Sequence, residues 1–197
     1  TMFDVPRVLS GAGHGMSGIA EALVAAADVL DDDRYLPAAT EALDYEIDAY
    51  RRYEKKFGTW ADLREFPPVK YMHGYCAGAP GTGIVINRML EEGHGDARAQ
   101  TIARMVRRSV DTLPLLPFDH LCCGNSAIVE YYLSTGDREA AGKVLGAIIG
   151  HGSHQGERLD PLANVSCNSV ATLFNGIGGI GYELLRYAYP ETILSIL

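Results

Sequence analysis

His120-Leu121-Cys122-Cys123-Gly124-Asn125-Ser126-Ala127-Ile128 sets the pattern on which the fold depends. Two adjacent cysteines stand directly before a glycine turn, and an apolar stretch that reads as a helix follows. Neighbouring cysteines rarely bond to each other, because that closes a strained ring of unusual disulfide geometry. In a tight loop both can face one soft metal ion, and Gly124 makes the loop tight. A third thiol lies 46 residues before Cys122, in Tyr75-Cys76-Ala77-Gly78-Ala79-Pro80-Gly81. Three protein ligands with one open position are the arrangement of a catalytic zinc site rather than a closed structural one. The cysteines form no C-x-x-C pair, however, and free cysteine is among the most buried residue types. Spacing alone therefore leaves a metal site and three small core residues both open.

Outward from Cys123, the same glycine pattern recurs as an internal repeat. The copies are His14-Gly15-Met16-Ser17-Gly18, Ala77-Gly78-Ala79-Pro80-Gly81, Cys123-Gly124-Asn125-Ser126-Ala127 and Asn175-Gly176-Ile177-Gly178-Gly179. Each reads x-Gly-x-x-Gly, with Ala127 replacing the last glycine of the third. The x positions 14, 77, 123 and 175 are separated by 63, 46 and 52 residues, the length of a helical hairpin with its connections. If the copies are equivalent in space, the residues before each first glycine face one end of the assembly, at inner-helix N-termini. The repeat then brings together His14, Cys76, Cys122 and Cys123, which are far apart in sequence.

Between the motifs, apolar periodicity predicts pairs of helices. Ser17 to Leu30 reads as a small-residue helix with Ile19, Leu23 and Ala26 on one face. Residues 34–56 read as a longer amphipathic helix carrying Leu36, Ala39, Leu43 and Ile47. A buried helix followed by an amphipathic one suggests an inner and an outer layer. Residues 57–73 form a connection that holds the only tryptophan, Trp60, and the helix-ending Pro67-Pro68. The pattern then repeats as 83–92 with 96–113, and as 126–135 with 137–149. Arg104, Arg107 and Arg108 read as a solvated face. Residues 150–172 read as a polar loop or lid, whose His151, His154 and Cys167 are not taken as ligands. The last inner helix is expected over 177–187.

Composition narrows the function classes. Of 197 residues, 47% are hydrophobic and 21% charged, which describes a core-forming globular chain. A net charge of −8 argues against a nucleic-acid partner. No apolar run reaches the length of a membrane helix, and no signal peptide is visible. Four cysteines in a chain this long do not read as a disulfide framework, so a reducing cytoplasm is the expected setting.

Several segments resemble one known family, the lanthionine synthetase C-like cyclases. They are Gly13-His14-Gly15-Met16-Ser17-Gly18-Ile19, Cys76-Ala77-Gly78-Ala79-Pro80-Gly81, Leu121-Cys122-Cys123-Gly124-Asn125 and Leu173-Phe174-Asn175-Gly176-Ile177-Gly178-Gly179-Ile180-Gly181-Tyr182. Trp60-Ala61-Asp62-Leu63-Arg64 and the ending from Tyr189-Pro190-Glu191 to Leu197 look more specifically like the C-terminal cyclase domain of class II lanthipeptide synthetases. The resemblance implies an all-α chain, an α/α toroid of helical hairpins with zinc at one mouth. Residues 1–197 would supply four of its seven hairpins as a partial barrel, the C-terminal part of the cyclase domain. The remaining repeats and a dehydratase domain would belong to the same parent polypeptide. Four hairpins cannot close a seven-hairpin ring, so apolar edges are expected to be exposed and to promote self-association or a companion chain.

The chemistry implied by the resemblance is thioether ring formation in a dehydrated precursor peptide. A peptide cysteine adds to dehydroalanine or dehydrobutyrine, giving lanthionine or methyllanthionine. Zinc would be held by Cys76, Cys122 and Cys123, and His14, matching the family's Gly-x-x-His-Gly motif, would be the general acid or base. Ala77 departs from the pattern, since relatives carry His or Tyr after the zinc cysteine. Other readings are a relative that adds glutathione, and a non-catalytic zinc-containing module that only binds peptide. An α/α toroid glycosidase would need two carboxylates at the mouth, and no Asp or Glu occupies an x position.

Overall fold

A computed structural model describes residues 8–63, 70–155 and 171–197. Its helices are α1 (Met16–Leu30), α2 (Leu36–Phe57), α3 (Ala79–Glu91), α4 (Ala97–Thr112), α5 (Asn125–Ser134), α6 (Arg138–Gln155) and α7 (Ile177–Ala188), with a 3-10 turn over Asp33–Tyr35. Among the described residues, extended pairing is confined to one isolated bridge between Asp62 and Lys70. The all-α expectation holds. No described helix is long and apolar enough to cross a membrane.

The chain divides into two compact units. The first holds residues up to Met72 together with Cys76–Leu113, and the second holds His73–Tyr75 and Pro114–Leu197. In the first unit α1 pairs with α2 and α3 with α4, while α1 also meets α3 and α2 meets α4. This is the inner-and-outer arrangement that the apolar periodicity implies. Helix α3 is buried continuously from Ala79 to Ile86, whereas α4 buries one stripe, Ala99, Ile102, Val106 and Val110. The inward face of α1 is Ala20, Val24 and Ala27, one position round from the expected Ile19, Leu23 and Ala26, and Ile19 is 49% exposed. The two alanines permit close backbone approach, which a face of larger side chains would prevent. Helix α3 starts four residues earlier than its periodicity suggests. Its second position is Pro80, where a missing N–H costs nothing.

Trp60 locks the connection after α2 into the core. It is fully buried, its Nε1 donates to the Glu46 carbonyl at 2.9 Å, and its ring meets Tyr50 edge-on at 4.8 Å. The arginines of α4 behave as a solvated face. Arg107 pairs with Asp111 and Arg108 with Glu54 at exposed positions, where such pairs contribute about 0–1 kcal/mol.

In the second unit α5 packs against α6 and α7. Helix α5 is buried from Asn125 to Tyr132. Helix α6 runs to Gln155 instead of ending at residue 149, so the start of the expected polar loop is helical. Gly146, Gly150 and Gly152 lower helix propensity and mask this continuation in the sequence. Most of the expected lid, with Cys167, lies outside the described residues. Val29 and Leu30 in the first unit and Leu185, Leu194 and Ile196 in the second are at least half exposed.

Glu130 and Glu183 lie fully buried in the second unit, and Arg186 Nε donates to Glu130 Oε2 at 2.6 Å. Burial first, and then the Glu130 charge, push the Glu183 carboxyl well above the ordinary value of 4.5 against the pull of Arg186. The folded protein thus keeps a proton that the unfolded chain releases above that value, so stability should fall as pH rises. Glu183→Gln, neutral at every pH, should remove this dependence. Thermal unfolding between about pH 5 and pH 8 should show a falling Tm in the wild type and a flatter one in the variant. Parallel curves would contradict the assignment.

Candidate metal centre

Each inner helix starts in the same way. Gly15, Gly78, Gly124 and Gly176 are the N-caps of α1, α3, α5 and α7, so the x residue of every motif lies immediately before a helix N-terminus. Three of these caps share one extended conformation, with φ between −124° and −138°. Gly78 differs, with φ +109°. Helix N-termini carry partial positive charge, which favours thiolate over thiol nearby.

In the first unit the His14 loop lies directly on the Cys76 loop. The His14 amide donates to the Cys76 carbonyl at 3.2 Å. The contact is so close that a Cβ on Gly11 would come within 2.7 Å of Ala77 Cα and 2.8 Å of Cys76 O. Gly11 also has φ +118°, a left-handed conformation that suits glycine. A Cβ on Gly13 would lie 3.4 Å from Cys76 Sγ. His14 is exposed, Cys76 half-buried and Ala77 buried.

Beneath this loop sits a carboxylate from α2. Glu46 is fully buried, and its Oε1 accepts hydrogen bonds from Gly11 N at 3.2 Å, Ser17 N at 2.9 Å and Ser17 Oγ at 2.7 Å. Burial raises its pKa, and the hydrogen bonds oppose that shift. Sequence reading missed Glu46. The available signal was a charged residue three positions after Leu43 and one before Ile47, on the apolar stripe of an amphipathic helix.

In the second unit the cysteine pair is tied on two sides. Cys122 N donates to Phe174 O at 2.9 Å, and Tyr75 N donates to Cys122 O at 2.8 Å. A Cβ on Gly74 would lie 2.5 Å from Cys123 Cα. The pair is also held from within its own loop. The Asn125 side chain accepts from Leu116 N at 2.8 Å and donates to Asp119 Oδ1 at 2.7 Å, while Cys123 N donates to His120 Nδ1 at 3.1 Å. Asp119 and His120, both buried, are supports that sequence reading did not assign. His73 is fully buried as well, and burial lowers its pKa to about 4, so it is neutral at physiological pH.

Cys76, Cys122 and Cys123 are half-buried. The Cys122 and Cys123 sulfurs are 3.3 Å apart, well beyond a disulfide bond of about 2.05 Å. Two sulfurs each about 2.3 Å from a tetrahedral ion would stand roughly 3.8 Å apart, so a small side-chain rotation suits the pair to share one. Cys76 follows Tyr75 by one peptide bond, and Tyr75 is itself bonded to Cys122. An all-thiol donor set fits zinc, a borderline-soft ion, and does not fit magnesium or calcium.

The profile described as "Lanthionine synthetase C-like protein" matches residues 5–197. The chain belongs to the lanthionine synthetase C-like family. Among solved structures it is similar to one described as "Nisin cyclase", with a TM-score of 0.58 and 19% sequence identity, over 93% of this chain and 47% of that one. The chain thus spans about half the length of that relative, and the likeness establishes a shared fold. A comparison with curated proteins finds no match.

The packing at Gly74 generates a prediction. Gly74→Ala forces a methyl onto the Cys123 backbone and should cost about 1–3 kcal/mol. Gly146→Ala meets nothing within 4 Å in the middle of α6 and should add about 0.5–1 kcal/mol. Chemical denaturation of both variants measures the difference. Equal stabilities would show that the 73–75 segment does not press on the cysteine loop.

Proposed function

We propose that the chain acts as a zinc-dependent peptide cyclase that closes lanthionine or methyllanthionine rings in a dehydrated precursor peptide. The observation that carries this reading is the backbone hydrogen bond between the His14 and Cys76 loops, which ties the segment with the exposed histidine to the segment with the first cysteine. The thiols of Cys76, Cys122 and Cys123 would hold the ion. Zinc, when bound, is a Lewis acid that lowers the pKa of a substrate thiol so that thiolate exists at neutral pH.

The chain's own residues do the rest. Three thiolates concentrate negative charge, which keeps a substrate sulfur nucleophilic. That sulfur forms a bond to the β-carbon of the dehydrated residue, and the electron pair of the broken double bond moves into an enolate. The α-carbon then takes a proton. His14, exposed at the end of α1, is the general acid that delivers it.

In this reading the three helix pairs and α7 belong to four repeats of a seven-hairpin toroid of the class II synthetase type, in the cytoplasm, with a dehydratase domain in the same polypeptide. The motifs around His14, Cys76 and Cys122, the Trp60–Arg64 segment and the family membership support it.

Metal analysis and a cyclisation assay test the proposal. Cys123→Ala should lose most of its zinc, because two remaining thiolates no longer define the site, and Cys167→Ala should keep it. His14→Ala should retain zinc while ring formation, followed by mass spectrometry after thiol alkylation, slows on the order of 10²-fold or more. Full zinc in Cys123→Ala, or its loss in Cys167→Ala, would overturn the ligand assignment. A wild-type protein that binds zinc and dehydrated peptide without accelerating ring closure would be a binding module.

A further inference from the structure

We propose that Glu46 is a positioning residue for His14, and that its buried carboxylate sets the place of the imidazole relative to Cys76. The inference rests on the proposed role of His14 as general acid. Glu46 Oε1 receives three hydrogen bonds from Gly11 N, Ser17 N and Ser17 Oγ. Gly11 and Ser17 are the two ends of the loop that carries His14 at its tip, so one oxygen atom fixes both. Ser17 Oγ also lies 3.3 Å from Thr82 Oγ1 on α3, the helix that starts three residues after Cys76. A buried chain of oxygens thus runs from α2 through the His14 loop to the helix behind the first thiol ligand.

The arrangement does more than cap a helix. Gly15, the N-cap of α1, has no side chain, and its cap makes no side-chain hydrogen bond. The carboxylate that satisfies the first turn comes from 29 residues away. An acid brought in from a second helix joins the loop to the outer layer, which a local serine or aspartate cap would not do. Trp60 holds the same residue from its other side, since its Nε1 donates to the Glu46 carbonyl. Backbone contacts also tie the loop, among them Met16 N to Leu9 O, Gly18 N to Gly11 O, and His14 N to Cys76 O. Glu46 is the side chain that gathers them. In the third repeat the corresponding loop instead uses Asn125 and Asp119 of its own segment.

Displacement of a reacting group by about 1 Å can cost as much as 10²-fold in rate. Glu46→Ala should therefore lower kcat for ring closure by roughly 10- to 100-fold, with KM and zinc content within about twofold of wild type. Glu46→Gln keeps an oxygen at the same place and should restore kcat to within about threefold. Two readouts do not depend on turnover. Amide hydrogen exchange at Gly11 and Ser17 should quicken in Glu46→Ala and stay slow in Glu46→Gln. Carbethoxylation of His14 should change rate in the first variant only. If Glu46→Ala fails to fold, Ser17→Ala removes one of the three bonds and the link to Thr82, and should show the same changes in smaller measure. Unchanged exchange, His14 reactivity and kcat in Glu46→Ala, or in Ser17→Ala where only that variant folds, would overturn the proposal. A parallel loss of zinc, KM and kcat that Glu46→Gln does not restore would also do so, by showing a general structural role. If the wild type forms no thioether at all, the cyclase reading falls, and exchange and His14 reactivity still decide whether Glu46 holds the loop.

Discussion

The hydrogen bond from the His14 amide to the Cys76 carbonyl is the contact on which the proposed chemistry depends. It joins backbone to backbone, so it is indifferent to the side chains that do the work and leaves both available. Such an approach has a steric requirement, met by Gly11 and Gly13, where any Cβ would press on the Cys76 segment. It also has an energetic one, because a loop of glycines is entropically expensive to order. The buried Glu46 carboxylate and the stripe of α2 that carries it offset that cost.

The second unit meets the same problem with other means. Its cysteine pair is laced to Tyr75 and to Phe174 through backbone hydrogen bonds and braced by Asp119, Asn125 and His120 from within its own loop. Both thiols precede the N-terminus of α5, where unsatisfied amides lower the cost of negative charge. The segment 73–75 belongs to this unit and leads by one peptide bond into Cys76.

The fold was legible in the sequence because its signal is repeated. Four x-Gly-x-x-Gly copies at hairpin spacing announced four inner helices, and every one of the first glycines is an N-cap. Element ends were less legible where local propensity and tertiary packing disagree. Pro80 looks like a stop and is a second helical residue; glycines in α6 look like breaks and are carried through. The facing of α1 was misjudged by one position, because alanine carries little hydrophobic weight and yet is what close packing selects. Of the site, the three cysteines and His14 could be named from motif and resemblance. Glu46, Asp119, His120 and His73 could not, since their roles arise from burial, which sequence spacing does not report.

The central claim is that three thiolates share one zinc ion. X-ray absorption at the zinc edge of the purified, zinc-loaded protein tests it most directly. The account predicts a first shell with three sulfur atoms at about 2.3 Å and one lighter neighbour. A shell made of nitrogen and oxygen, or one with a single sulfur, would contradict it.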